Sequence, residues 1–132
     1  MNQSEIIESF VELKKIAVIG ASSKPDKWGY KIFKKLSEKG YEVVPVHKSL
    51  KEIEGNKVYN SVLDIESNID GAVFVVNPEI GIKIAEDIIK KNIKFVWLQP
   101  GAISDELLNI FEKNNVKVVH TACIYVYLNL YR

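Results

Sequence analysis

The amino-acid sequence predicts an α/β fold, a doubly wound and mostly parallel sheet with helices on both faces. Three observations carry that expectation. The apolar runs at 16–19, 71–76 and 95–98 lack polar alternation, as strands covered on both faces do. Helical patterns separate these runs, which implies βαβ units with right-handed crossovers. The first run also empties into a loop of small residues, Gly20-Ala21-Ser22-Ser23. Such loops commonly precede a helix N-terminus.

The elements follow in order. Residues 4–13 read as an amphipathic helix with Ile6, Phe10 and Leu13 on one side. Residues 15–19 form the first strand, and the helix beyond the loop ends at Lys39-Gly40, with glycine at its cap. EVVPV at 42–46 is the second strand, 57–59 a short third and GAVFVV at 71–76 a fourth. Asn77-Pro78-Glu79 then starts a helix, with Asn as N-cap, Pro at the first position and Glu in the first turn. Ile80, Ile84 and Ile88 give it an apolar face, and it stops near Lys90-Lys91-Asn92.

KFVWL at 94–98 is the fifth strand. Ser104 caps a helix whose inner face holds Leu107, Leu108, Ile110 and Phe111, and 116–119 is the last strand. The expected strand order is 3-2-1-4-5-6, with ligands at the carboxyl edge beside the first strand. Pro25, Pro45, Pro78 and Pro100 all fall at or just beyond strand ends on that edge. The tail at 121–132 is unusually apolar, with Tyr125, Tyr127 and Tyr131 among Val126, Leu128 and Leu130. It reads as an edge strand, a packing arm or a dimer contact, buried against the domain or a partner.

Bulk properties fit one domain over residues 1–132. Apolar content of 47% with 27% charged residues is ordinary for a globular chain. No apolar run approaches the length of a membrane span, and MNQSEIIESF lacks the features of a signal peptide. A single cysteine, Cys123, excludes an internal disulfide, so a cytoplasmic location is expected. A net charge of +1 argues against a nucleic-acid or membrane-surface binder. Seventeen lysines stand beside one arginine, Arg132, so side-chain contacts to phosphate must come from Lys, Ser, Thr or His.

The 15–30 stretch, KIAVIGASSKPDKWGY, carries the chemistry. A strand–loop–helix of small residues offers unpaired N–H groups and the positive end of a helix dipole to a phosphate. With the expected strand order, such a strand–loop–helix is what a Rossmann-like fold opens with. In the dinucleotide fingerprint G-x-G-x-x-G the second glycine admits the pyrophosphate and the third lets the helix pack closely. Here Ser22 and Pro25 hold those positions, and Gly29 follows four residues later. Ser22 is small and adds a hydroxyl donor, while Gly29 can supply the close packing from a longer loop. A branched side chain at Gly20 is expected to fill the diphosphate's space and spare the fold.

The second strand narrows the ligand. Nucleotide folds that take NAD place an acid at its end for the ribose hydroxyls. Here Pro45-Val46-His47-Lys48 stand there instead, one definite cation and one possible one. That pattern disfavours NAD and favours an ADP moiety with an extra ribose phosphate, as in coenzyme A or NADP.

The chain resembles the small stand-alone CoA-binding proteins, which are similar to the CoA-binding domain of the succinyl-CoA ligase α-subunit. The resemblance runs from about Lys14 to Ile124, on VIGASSKPDKWGY, KGYEVVPVHK, VYNSVLDI before GAVFVV, NPE, FVWLQPGA and VKVVHTAC. It implies that Gly20, Ser22, Pro25 and Lys27, with Ala21 and Ser23 between them, belong to the diphosphate loop. It places Pro45, Val46 and His47 on the adenosine side, His47 where Asn is typical and Lys48 where Pro is typical. Val76, Asn77 and Pro78 would border a third ligand-facing loop, and Gln99, Pro100 and Gly101 a fourth.

A catalytic site is hard to assemble from the remaining residues. His47 and His120 are the two histidines, and neither has an acid at a suggestive spacing. Cys123 reads as a buried, inert thiol, and no metal-binding spacing is present. The expected function is therefore non-catalytic binding of coenzyme A or an acyl-CoA, with a homo-oligomer or protein partner contacting the tail. An NADP-linked oxidoreductase and another nucleotide-binding regulatory domain are the alternatives.

Overall fold

A computed structural model describes residues 1–132. Helix α1 (Gln3–Val11) opens with a capping box: the Asn2 side chain accepts from the Glu5 N–H, and Glu5 accepts from the Asn2 N–H. Strand β1 (Lys15–Ile19) follows, then α2 (Trp28–Glu38) and β2 (Glu42–Val46). A small antiparallel hairpin, β3 (Glu52–Ile53) with β4 (Asn56–Lys57), and a 3-10 turn at Val62–Asp64 lead to β5 (Gly71–Phe74). Beyond it come α3 (Pro78–Lys90), β6 (Phe95–Leu98), α4 (Asp105–Lys113), β7 (Lys117–Val119) and α5 (Ile124–Tyr131).

The five main strands are all parallel, in the order β2-β1-β5-β6-β7. The sheet separates two cores. On one face Ala17, Ile19, Phe74 and Leu98 pack with Ala85, Ile88, Leu107 and Phe111 of α3 and α4. On the other, Ile16, Val18, Val73 and Trp97 pack with Phe10, Ile32, Leu36, Ile124 and Leu128 of α1, α2 and α5. Alternate residues of each strand thus feed opposite cores, which explains why the strands read as unbroken apolar runs. No helix is long and apolar enough to cross a membrane.

The expected strands change in one detail. The short third strand is reduced to one parallel bridge, Val46 to Tyr59. The Tyr59 N–H donates to the Pro45 carbonyl, and the His47 N–H donates to the Tyr59 carbonyl. Lys57 is drawn instead into the hairpin, where Asn56 and Lys57 pair with Ile53 and Glu52. Pro45 lies inside β2, near the sheet's edge, where its missing N–H costs least.

The apolar tail is a helix, not an edge strand. Its packing on the domain is as expected: Ile124 and Leu128, four apart, are buried, and Val126, Leu130 and Tyr131 face outward. The Trp97 indole N–H donates to the Ala122 carbonyl at 2.8 Å and pins the approach to α5.

Candidate functional site

The chain turns left from β1 to β2 and right to β5, so the carboxyl ends of β1 and β5 flank the switch point. The loop after β1 is fastened there at both sides. The N–H groups of Gly20 and Ala21 both donate to the Val46 carbonyl, at 3.0 and 3.2 Å, and the Val75 N–H donates to the Ile19 carbonyl at 2.8 Å. Gly20 has φ +93°, and a Cβ on it would stand 2.7 Å from both the Val75 carbonyl oxygen and Val76 Cγ1. A branched residue there collides with the protein itself. The expectation that it would spare the fold is therefore corrected.

Gly29 supplies the close packing. A Cβ there would lie 2.1 Å from the Gly20 carbonyl oxygen and 3.1 Å from the Ser22 nitrogen. The first turn of α2 consequently rests on the loop. Lys27 is the N-cap of α2 but gives it no side-chain cap. The backbone N–H groups of Ser22, Ser23, Trp28 and Gly29 have no acceptor within the protein. Ser22 Oγ accepts from the Lys24 N–H at 3.1 Å, which shapes the loop and leaves its hydroxyl hydrogen free to donate.

Above this loop is a cavity of about 890 Å³. Gly20, Ala21, Ser22, Ser23, Lys27, Val46, His47 and Lys48 line it together. A second cavity of about 390 Å³ adjoins it, sharing Trp28, Val75 and Val76, and is lined by Asn77, Gln99 and Gly101. Pro25 and Pro78 line neither: Pro25 is exposed in the loop, and Pro78 occupies the first turn of α3.

Several of these side chains already have structural work. Asn77 caps α3, accepting from the Ile80 N–H at 3.0 Å. Gln99 is buried, and its side chain holds α5: Oε1 accepts from the Ile124 N–H at 2.8 Å, and Nε2 donates to Cys123 Sγ at 3.2 Å. Cys123 itself is half-buried and lines the smaller cavity, which corrects its reading as a buried thiol. His47 is neutral in character: burial, and then the neighbouring Lys48 charge, lower its pKa below the ordinary value. Of the two candidate cations at the end of the second strand, His47 is therefore the weaker one beside Lys48.

Sequence reasoning missed Trp28, which is half-exposed and walls both cavities. It also missed Lys24, Leu50, Asn60, Ile80, Lys83 and Ile84 on the larger one. Four lysines, Lys24, Lys27, Lys48 and Lys83, line that cavity with no carboxylate among its lining residues. None of the four is in an ion pair. Uncompensated positive charge, free N–H donors and the small residues of the Gly20–Ser23 loop fit a polyphosphorylated ligand, in a volume typical of cofactor sites.

Known proteins share this architecture. The chain is 28% identical over 125 residues to an uncharacterized protein of Bacillus subtilis (strain 168), YneT, covering 95% of this chain and 93% of that one. It is 44% identical over 96 residues to the α-subunit of ADP-forming acetate–CoA ligase I of Pyrococcus furiosus. That alignment covers 68% of this chain but about a fifth (21%) of the ligase subunit. A hypothetical protein from Pyrococcus horikoshii OT3 superposes with a TM-score of 0.91 at 32% identity, covering 98% of this chain and 92% of that one. The family model described as a CoA binding domain matches residues 14–129, and the chain belongs to that family.

Proposed function

We propose that this protein binds coenzyme A, free or as an acyl-CoA, without catalysing a reaction on it. The observation that carries this reading is the larger cavity's four unpaired lysines around the free N–H groups where α2 begins. In this reading the diphosphate sits over Ser22, Ser23 and the first turn of α2, with Lys24 and Lys27 beside it. The ribose phosphate meets Lys48 at the end of β2, and the smaller cavity accommodates the pantetheine arm. Kinship with the acetate–CoA ligase α-subunit supports the choice of CoA over other nucleotides.

Binding without turnover is the simpler role for these residues. The one imidazole on the larger cavity, His47, already uses its Nδ1 to accept backbone N–H groups. Gln99 and Asn77 spend their side chains on helix caps. Mass spectrometry of small molecules retained by the purified protein tests the proposal. A mass matching CoA or an acyl-CoA is expected, at one molecule per chain after incubation with CoA. Retention of NADP in its place, or of nothing after incubation with CoA, would overturn it.

A further inference from the structure

The loop after β2 is held by one ring. His47 Nδ1 accepts from the N–H groups of both Ser49 and Leu50, each at 3.1 Å. That fixes the short segment that carries Lys48 and Leu50 to the larger cavity. From the far side Asn60 Nδ2 donates to the His47 carbonyl at 2.8 Å and approaches the Leu50 carbonyl at 3.4 Å. An aromatic nitrogen here does the work of an Asx side chain, capping N–H groups two and three residues ahead.

The arrangement requires a neutral ring. Nδ1 must be a bare acceptor, so the ring's one proton lies on Nε2. Protonation would place a third N–H against two others, and both hydrogen bonds would be lost. We propose that His47 is a positioning residue for the ribose-phosphate end of the ligand, and that its protonation releases the Lys48–Leu50 loop so that CoA binding weakens on acidification. This deepens the CoA reading and rests on it for the choice of ligand.

Burial, and after it the Lys48 charge, favours the neutral form. Lys48 adjoins the ring in the chain, Lys24 and Lys27 stand on the β1–α2 loop, and Lys83 of α3 lines the same cavity, with no carboxylate on the lining. A ligand phosphate acts in the opposite sense, attracting an imidazolium. The sign of the pH effect therefore decides whether the loop or the charge dominates.

The test titrates CoA calorimetrically into the native protein, His47→Asn and His47→Ala at about pH 7.5 and about pH 5, on either side of an ordinary histidine pKa. Asparagine can accept the same two N–H groups but does not titrate. At the higher pH His47→Asn should bind CoA more tightly than His47→Ala, which should be weak at both. On acidification the native protein should lose about tenfold more affinity than His47→Asn, whose own loss measures titration of the CoA phosphate. Equal losses in the two, or a native gain, would overturn the proposal.

Amide NMR of the unliganded protein separates this idea from the choice of ligand. The Ser49 and Leu50 N–H resonances should shift together as the His47 ring titrates, and resonances that stay still would overturn the latch. Shifting resonances in a protein that does not bind CoA at the higher pH would overturn the CoA reading and leave the latch standing.

Discussion

Gly29 of α2 lies against the carbonyl of Gly20, so close that a Cβ on Gly29 would stand 2.1 Å from that oxygen. The contact joins the end of β1 to the start of α2 and sets how the helix N-terminus faces the larger cavity. Both neighbours in the contact are backbone, so neither can swing aside as a side chain would.

Gly29→Ala should therefore destabilise the protein by about 1–3 kcal/mol, the usual cost of overpacking, despite alanine's better helix propensity. Urea unfolding measures it. The same variant should lose CoA affinity, because relief of the clash must displace the loop or the helix. Unchanged stability and affinity would mean that the contact relaxes without consequence.

Gln99 gives a second test. Replacing it with Leu leaves the Ile124 N–H, bonded at 2.8 Å by Gln99 Oε1, without its partner at a buried site. An unsatisfied buried donor costs about 1–3 kcal/mol. The loss should appear as a lower urea midpoint and as faster amide exchange confined to residues 124–131. Uniform protection across α5 in Gln99→Leu would show that the helix holds without this cap.

How much of this was legible from sequence depends on how local each interaction is. Asn77 and Ser104 cap the helices that they immediately precede, and both were read directly. The strand–loop–helix of 15–30 was readable because its whole logic lies in consecutive residues. The cap of α5 was not, since Gln99 is far from Ile124 in the chain and only the fold joins them. IYVYLNLY alternates aromatic, β-branched and aliphatic residues as a strand does, yet the i,i+4 pair Ile124 and Leu128 decides for a helix. The third strand shrank to the Val46–Tyr59 bridge because Lys57 was drawn into a competing hairpin. Lys24 and Lys83 reach one cavity from two separate elements, and in a lysine-rich chain nothing local marks them out.

His47 should make stability pH-dependent with a defined sign. Burial and then Lys48 lower its pKa in the folded state, so the unfolded chain binds the proton more readily. Its contribution is neutral above the ordinary histidine range, and stability is lost as pH falls from about 6.5 through the folded pKa. Thermal unfolding of the native protein and His47→Asn checks this. The native midpoint should drop more than the variant's across that window, and parallel curves would contradict it.

Lys48 tests the ribose-phosphate assignment. It is exposed at the end of β2 and carries no ion pair. Its contact with a phosphate should be worth several-fold in affinity, shrinking at high salt. Lys48→Glu should abolish or reverse any preference for CoA over dephospho-CoA. A preference that survives in Lys48→Glu would assign the phosphate to another of the cavity's lysines.

The measurement that bears most directly on the central claim is calorimetric titration of the native protein at low salt with CoA, dephospho-CoA, NADP and NAD. The four unpaired lysines and the free N–H groups at the start of α2 predict micromolar binding of CoA, about −8 kcal/mol. Dephospho-CoA should bind more weakly and NAD most weakly. Tighter binding of NADP than of CoA, or no binding of CoA at all, would contradict the account.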